Sequence, residues 1–425
     1  MIKLRNSSHL QGKRLLILGG QLKSCDIVNR ASELGIYTIV TDWYEDSPAK
    51  RIADKSYDIS TSDVEALLEL VKKEKIDGVF TGYIDSTLPY YYEVCQRAEL
   101  PCYLSKEALI CGTNKQEFKK ACEAVRIKTI PIVDIQKDGE KIYPIIVKPV
   151  DNSGSKGITV CYNDSMLDFA CKRAERFSRS RSFICERFMD CDYVCAYYIV
   201  KDGKAKLALL MDKDMNHIGR GFVPYPTAFV SPSRYEDQFC KVQDEKVQRL
   251  VDHLKFRNGT FLISYFVNGV NFYAVEMAAR LTATREYLFI QDAIGLDILE
   301  MHLNMALTGQ FVCESQERRE PKESQIYCML FTFLKDGVIG TINGIEEIKA
   351  LPEVQAVLLL RDIGAKIRAD GSYGQLFSRI HLKTDSKEDM MQTIQNIDDL
   401  LQIYSTDGRP MLMPGFAAKR FLMEK

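Results

Sequence analysis

Within its first hundred residues the chain repeats one unit, a short apolar run followed by a helical pattern, and that repetition limits the sheet it can build. Leu15-Leu16-Ile17-Leu18 reads as a buried strand, Gly19-Gly20 as a turn, and a helix runs to about Leu34. Tyr37-Thr38-Ile39-Val40 is a second strand, ending at Thr41-Asp42. A helix from Val64 to Lys73 leads to a third strand, Gly78-Val79-Phe80, and another helix covers about Thr87 to Ala98. Apolar strands alternating with helices call for a parallel sheet covered on both faces. The loop GGQLKSCD lacks the spaced glycines of a dinucleotide site, so a tight strand-to-helix turn is the better reading.

Composition narrows the class. At 425 residues, two to four domains are expected. With 46% hydrophobic and 27% charged residues, disorder, collagen and coiled coil are excluded as the main state. Lys plus Arg is 57 against 58 acidic residues, so neither nucleic acid nor an anionic membrane is an expected partner. No stretch approaches the length of a membrane-spanning helix. The thirteen cysteines contain no Cys-x-x-Cys pair. Their odd number and the polar start MIKLRNSSHLQGKR point to a reducing, cytoplasmic setting.

Further along, a helical stretch covers Lys106 to Val125. Ile145-Ile146-Val147 and Ile158-Thr159-Val160 form a hairpin with a long tip. A helix from Met166 to about Ser178 and a strand at Ser182 to Cys185 follow. Tyr193 to Met211 reads as β, and Asp212 to His217 as a polar stretch between strands. Strands at Phe261–Phe266 and Phe272–Glu276 meet at Asn268-Gly269, a tight-turn pair. The charged segment Arg318 to Ser324 reads as a linker, and a small α+β module follows it.

Two places can carry chemistry. The hairpin tip Lys148-Pro149-Val150-Asp151-Asn152-Ser153-Gly154-Ser155-Lys156-Gly157 offers N–H groups, hydroxyls and two lysines, as a phosphate cradle would. An ordinary solvated loop explains it about equally well. The strand Phe272 to Leu281 places Glu276, Ala278 and Arg280 on one face. A carboxylate there can hold magnesium and an arginine can hold phosphate, although a strand-end ion pair is the plain alternative.

In this order the pieces resemble the ATP-grasp superfamily of carboxylate–amine ligases, over essentially the whole chain. Thr113-Asn114-Lys115 is similar to the segment whose lysine reaches nucleotide phosphate, and Ile146-Val147-Lys148-Pro149 to the strand whose lysine contacts the nucleotide. Ser153, Gly154, Ser155 and Gly157 lie in the stretch that resembles the phosphate lid. Cys185-Glu186-Arg187-Phe188-Met189 resembles the hinge, where main-chain groups near Glu186 and Met189 hold adenine, and Asp192 falls near the ribose acid. Glu276 and Arg280 match the metal ligand and phosphate arginine of Glu-x-Asn-x-Arg. The resemblance implies ATP with Mg²⁺ or Mn²⁺, small carboxylate and amine substrates, and the homodimer common in such families. It also implies an α/β and α+β architecture: a Rossmann-like pre-ATP-grasp domain (1–106), a two-lobed ATP-grasp domain (107–317, lobes about 107–185 and 186–317) and a C-terminal α+β lid domain (318–425). Glu276 and Arg280 are then the catalytic pair, Lys115, Lys148 and Arg280 converge on one phosphate cleft, and the loop Gly219 to Ser233 contributes specificity. Of the cysteines, only Cys185 is expected near the site.

The departures are specific. Where the family carries its first metal acid this chain has Ser264, and Ala278 replaces the asparagine ligand. Two readings follow: a ligase that makes an acyl phosphate, or a degenerate relative that binds nucleotide without turnover in a regulatory or scaffolding role. Two ions in the standard arrangement would need another group, such as Asp212, Asp214 or Glu286, as a substitute ligand.

Overall fold

The structure, a computed structural model, describes residues 9–136, 141–216, 219–313 and 324–423. Strands β1 (Arg14–Leu18), β2 (Tyr37–Thr41), β3 (Lys55–Tyr57) and β4 (Gly78–Phe80) form a wholly parallel sheet in the order β3-β2-β1-β4. Helices α1 (Cys25–Glu33), α2 (Val64–Glu74) and α3 (Leu88–Arg97) connect and flank it, as the repeated unit predicts. β3 is the polar edge strand, with no apolar signature. The next helical stretch divides into α4 (Lys106–Thr113) and α5 (Lys115–Ala124). Asn114 makes the break: its backbone is extended, and its Oδ1 caps α5 by accepting the Gln116 and Glu117 N–H groups.

A three-stranded antiparallel sheet follows, β5 (Ile145–Pro149), β6 (Thr159–Cys161) and β7 (Phe183–Arg187), ordered β6-β5-β7. Helix α6 (Asp164–Phe177) buries Leu167, Ala170 and Ala174 against it.

The largest sheet has eight strands. Its first part is β8 (Asp192–Lys201), β9 (Lys204–Asn216), β10 (Tyr225–Ser231), β11 (Gly259–Asn268) and β12 (Asn271–Ala278). Helix α7 (Glu236–His253) packs beside β9, while α8 (Tyr287–Ile294) packs on α9 (Ile298–Thr308), which lies against β4 and β1. Then come β13 (Ile326–Phe333), β14 (Gly337–Asn343), α10 (Ile345–Lys349), β15 (Val354–Leu359), β16 (Lys366–Ile367), β17 (Leu376–Thr384), α11 (Lys387–Leu400), β18 (Gln402–Ser405) and α12 (Ala418–Met423). The sheet order is β12-β11-β8-β9-β10-β13-β17-β15, with β14, β16 and β18 in a separate small sheet. Thus β13, β17 and β15 prolong the sheet begun by β8 to β12, across the segment read as a linker.

Two expectations are corrected here. Asp212 to Asn216 is no loop: it completes β9, paired to β8 and β10. The interval Gly219 to Ser233 is only partly loop, because β10 within it is buried at every residue. A strand inside the sheet is paired on both edges and apolar on both faces, so it shows no polar alternation to read. His217 and most of Arg318–Ser324 lie outside the described residues.

The parallel sheet is anchored to the rest through α9. A Cβ on Gly78 of β4 would stand 2.1 Å from the Ala306 carbonyl oxygen, so only glycine permits this approach. Arg30 of α1 pairs with Asp297 at 2.7 Å and with the buried Glu300 at 2.9 Å. All thirteen cysteines are free thiols. Among the described residues no helix is long and apolar enough to cross a membrane.

Candidate functional site

A cleft of about 1380 Å³ lies between the parallel-sheet part, the β6-β5-β7 sheet and the eight-stranded sheet. That exceeds the roughly 300–1,000 Å³ of most small-molecule sites, leaving room for a nucleotide and a second substrate. Its lining includes Lys115, Lys148, Ser153, Gly154, Ser155, Met189, Asp192, Glu276 and Arg280. Gly157 and Glu186 do not line it.

The loop after β5 owes its shape to left-handed backbone at Gly154 (φ 69°), Ser155 (φ 59°) and Gly157 (φ 78°). Asp151 anchors its base by accepting hydrogen bonds from Ser178 Oγ and the Arg179 and Ser180 N–H groups. A Cβ on Gly157 would meet Phe177 Cβ at 2.5 Å, whereas one on Gly154 would meet open space. Gly157 therefore sets the packing of the loop, and Gly154 its freedom. Lys115, the first residue of α5, donates from its backbone N–H to Val150 O and from Nζ to Asn152 O at 2.6 Å, tying the helix start to the loop.

Beside the loop sits a buried ionic cluster. The Glu186 side chain is fully buried and takes Lys119 Nζ at 2.6 Å and Lys148 Nζ at 2.5 Å. Burial alone would raise its pKa, but the two ammonium groups outweigh this and hold it below the usual carboxylate range. Lys119, one turn after Lys115 on α5, is a member that the sequence motifs do not mark. The structure thus turns the Glu186 side chain inward and brings Met189 to the cleft.

Asp192 opens β8. It accepts the Tyr235 hydroxyl and pairs with Arg234 at 3.0 Å. Arg280, just past β12, meets Asp85 in a two-pronged pair at 2.6 and 2.7 Å. Asp85 comes from the turn before α3, so the parallel-sheet part reaches into the site. Burial raises the Asp85 pKa, yet Arg280, and beyond it Lys115, hold it below the ordinary value.

Lys23 and Arg379 also face the cleft, unannounced by any motif. Lys23, in the turn after β1, has its pKa pushed down to about 8, by burial first and then by Arg280 and Arg379. Arg379, on β17, is 8% exposed; one guanidinium N–H donates to Ala283 O, and its buried Nε finds no partner among the described residues. Lys23, Arg280 and Arg379 thus crowd positive charge into one corner. The cysteine expectation also changes. Cys111, Cys191 and Cys195 line the cleft, whereas Cys185 packs behind it, its pKa pushed up to about 12 by burial.

Comparison with known proteins gives this arrangement a context. Residues 114–312 match the family model described as the carbamoyl-phosphate synthase L chain, ATP binding domain. This segment belongs to the ATP-grasp superfamily. Among relatives, formate-dependent phosphoribosylglycinamide formyltransferase of Sulfurisphaera tokodaii is 24% identical over 332 residues, covering 73% of this chain and 83% of that protein. The same enzyme of Wolinella succinogenes is 25% identical, covering 63% and 70%. Among solved structures, the L-amino acid ligase of Bacillus licheniformis superposes with a TM-score of 0.75 at 18% identity (93% of this chain, 99% of that one). Phosphoribosylglycinamide synthetase of Anaerococcus prevotii gives 0.72 at 17% (93% and 100%). These likenesses confirm the α/β and α+β ATP-grasp fold.

ATP-grasp enzymes use ATP and magnesium, and the metal ligands can be tested against the residues present. β11 and β12 pair Ser264 opposite Glu276, and a bulge follows at Val275. Glu276 is exposed to the cleft and makes no hydrogen bond or ion pair with another described residue. A single ion held by this carboxylate and by phosphate oxygens fits. Two ions do not. Ser264 and Ala278 supply no charge, and no group of three or more His, Cys, Asp or Glu suited to a metal exists among the described residues. The substitute acids are engaged elsewhere: Asp212 accepts Ser233, Asp214 accepts Thr227, and Glu286 accepts Thr282 and Thr284. Beside Ser264 stands a cation instead. Lys213 Nζ lies 3.3 Å from Ser264 Oγ. Burial opposes the lysine's charge, but Cys195, Tyr193 and Tyr373 outweigh it and raise the pKa above its ordinary value.

Proposed function

We propose that this chain binds ATP through Lys115, Lys148, the loop Ser153 to Gly157, the main chain near Glu186 and Met189, and Asp192. On this reading it uses ATP to activate a small carboxylate. The carboxylate attacks the γ-phosphate, giving an acyl phosphate and ADP, and an amine then displaces phosphate. Such transfer needs positioning and charge neutralisation more than covalent help. Arg280 steadies the transferring phosphate, and Glu276 would hold a magnesium ion, which would supply charge screening there. The loop excludes water from the acyl phosphate. We further propose three units, 1–106, 107–317 and 318–425, since cleft residues come from each.

The observation that carries the reading is the convergence of Lys23, Arg280 and Arg379 beside the phosphate loop. Three cations from three parts of the chain suit an anionic substrate next to a nucleotide. The name of the relatives, which couples formate to phosphoribosylglycinamide, accords with a small carboxylate and an amine-bearing acceptor. The loss of acids at Ser264 and Ala278 favours the second reading, nucleotide binding without turnover. ADP release with Mg²⁺ or Mn²⁺ across a panel of carboxylates, formate included, each with and without amines, separates them. Carboxylate-dependent ADP formation supports the ligase; ATP binding with no ADP under any combination refutes it.

A further inference from the structure

The pleat of the large sheet sets the ligand positions in rows. Cys195, Ser264 and Glu276 pair across β8, β11 and β12 and share one face. Two residues along β8, Tyr193 pairs with Lys213 of β9, which pairs with Phe229 of β10, in the adjacent row of the same face. The lysine side chain crosses between the rows. Its Nζ stands 3.3 Å from Ser264 Oγ, 4.0 Å from the centre of the Tyr193 ring and 4.8 Å from that of Phe229. Lys213 lines the cleft and forms no salt bridge among the described residues.

We infer that the Lys213 ammonium takes over, as a charge fixed to the protein, the work of one of the two metal ions that the superfamily places between its acids and the ATP phosphates. The inference rests on the nucleotide-binding reading above. An acid at position 264 would lie in contact with Lys213 and pair with it, so acid-plus-metal and serine-plus-lysine are mutually exclusive solutions. With serine present, no carboxylate among the described residues pairs with the lysine. The ring faces of Tyr193 and Phe229 support the cation without cancelling its charge. Its remaining N–H donors are left for an anion in the cleft, and phosphate oxygens are the anion this cleft would receive. A divalent ion beside Ser264 would instead meet a like charge at contact distance. Glu276, at the far end of its row, keeps the one remaining ion.

The test counts ions. The purified chain is mixed with equimolar β,γ-imido-ATP and titrated with Mn²⁺, and free Mn²⁺ is read by electron paramagnetic resonance. One Mn²⁺ per complex is expected. Lys213→Met should keep that count while weakening imido-ATP binding about tenfold or more, the value of one charge-assisted contact. Lys213→Arg should restore affinity to within about threefold. The double variant Lys213→Met/Ser264→Glu should take up a second Mn²⁺. Two ions in the wild type, or unchanged affinity in Lys213→Met, overturn the inference while leaving the nucleotide reading intact. Absence of imido-ATP binding in the wild type overturns both. Should Lys213→Met fail to fold, the wild-type count and the Lys213→Arg affinity decide.

Discussion

Glu186→Gln tests the ionic cluster at the root of the phosphate loop. Glu186 is fully buried and its two lysine partners are each 6% exposed, so the substitution leaves two ammonium groups facing a neutral amide without water. Removing one member of a buried pair typically costs about 3–5 kcal/mol, mostly the penalty of the charge left behind. With an unfolding entropy of roughly 2.1 cal/mol/K per residue, the 425 residues give about 0.9 kcal/mol/K if they unfold together. The melting temperature should then fall by about 3–6 °C. Lys119→Met/Glu186→Gln removes one stranded charge and should recover more than half of that, which a double-mutant cycle reads directly. ATP offers Lys148 a replacement anion, so it should raise the melting temperature of Glu186→Gln more than that of the wild type. The pH dependence has a definite sign. The folded pKa of Glu186 lies below its ordinary 4.5. Its stabilisation is therefore complete above 4.5 and is lost as pH falls toward the folded value, so the gap between wild type and variant narrows in acid. A variant melting within about 1 °C of the wild type at neutral pH would refute the cluster as a buried charge network.

Glu276→Gln should reduce carboxylate-dependent ADP release by at least about a hundredfold, because it removes the carboxylate read as the metal ligand. Unchanged release would place the metal elsewhere. Gly157→Ala should raise the ATP KM more than Gly154→Ala. Both force a left-handed alanine, at roughly 1–2 kcal/mol, but only the first also drives a Cβ into Phe177. Equal effects would mean that the loop does not pack as described. His302 and His381 are buried neutral, their pKa values pushed from 6.5 down to about 3, by burial first. Unfolding frees them to protonate, so each costs about 1.4 kcal/mol of stability per pH unit below 6.5. Urea unfolding at pH 7 and pH 5 should show the loss, and replacing either histidine with Phe should lower the slope if the variant folds.

The fold was legible wherever local chemistry and tertiary role agree. The strand–helix alternation of the first hundred residues specifies a parallel sheet because apolar strands need cover on both faces. The Asn268-Gly269 turn marks the β11–β12 hairpin, which the structure forms with Asn268 opposite Asn271. β10 was not legible, since its run Tyr225 to Ser231 is broken by Pro226 and preceded by Pro224. Those prolines read as loop, and the register shift between Pro226 and Ala228 shows how the strand tolerates one. The three-residue edge strand β3 is too short and polar to show any period.

The site divides the same way, and the division explains why the departures could be seen while their compensation could not. Lys148, Glu276 and Arg280 each sit in a contiguous stretch whose neighbours identify it. Ser264 and Ala278 register as losses for the same reason. What stands against those losses comes from elsewhere in the chain. Lys213 is 51 positions from Ser264 in sequence, and only the pairing of β8 with both β9 and β11 brings the two together. Asp85 reaches Arg280 from 195 positions away, and the Lys119 side chain reaches from α5 to Glu186 on β7. A usable signal did exist at Lys213. In Met211-Asp212-Lys213-Asp214, alternate residues point to opposite faces once the segment is a strand, which separates the lysine from its two flanking acids. Read as a loop, the same residues neutralise one another. Assigning that one strand is thus what turns an apparently deficient metal site into one with its own positive charge.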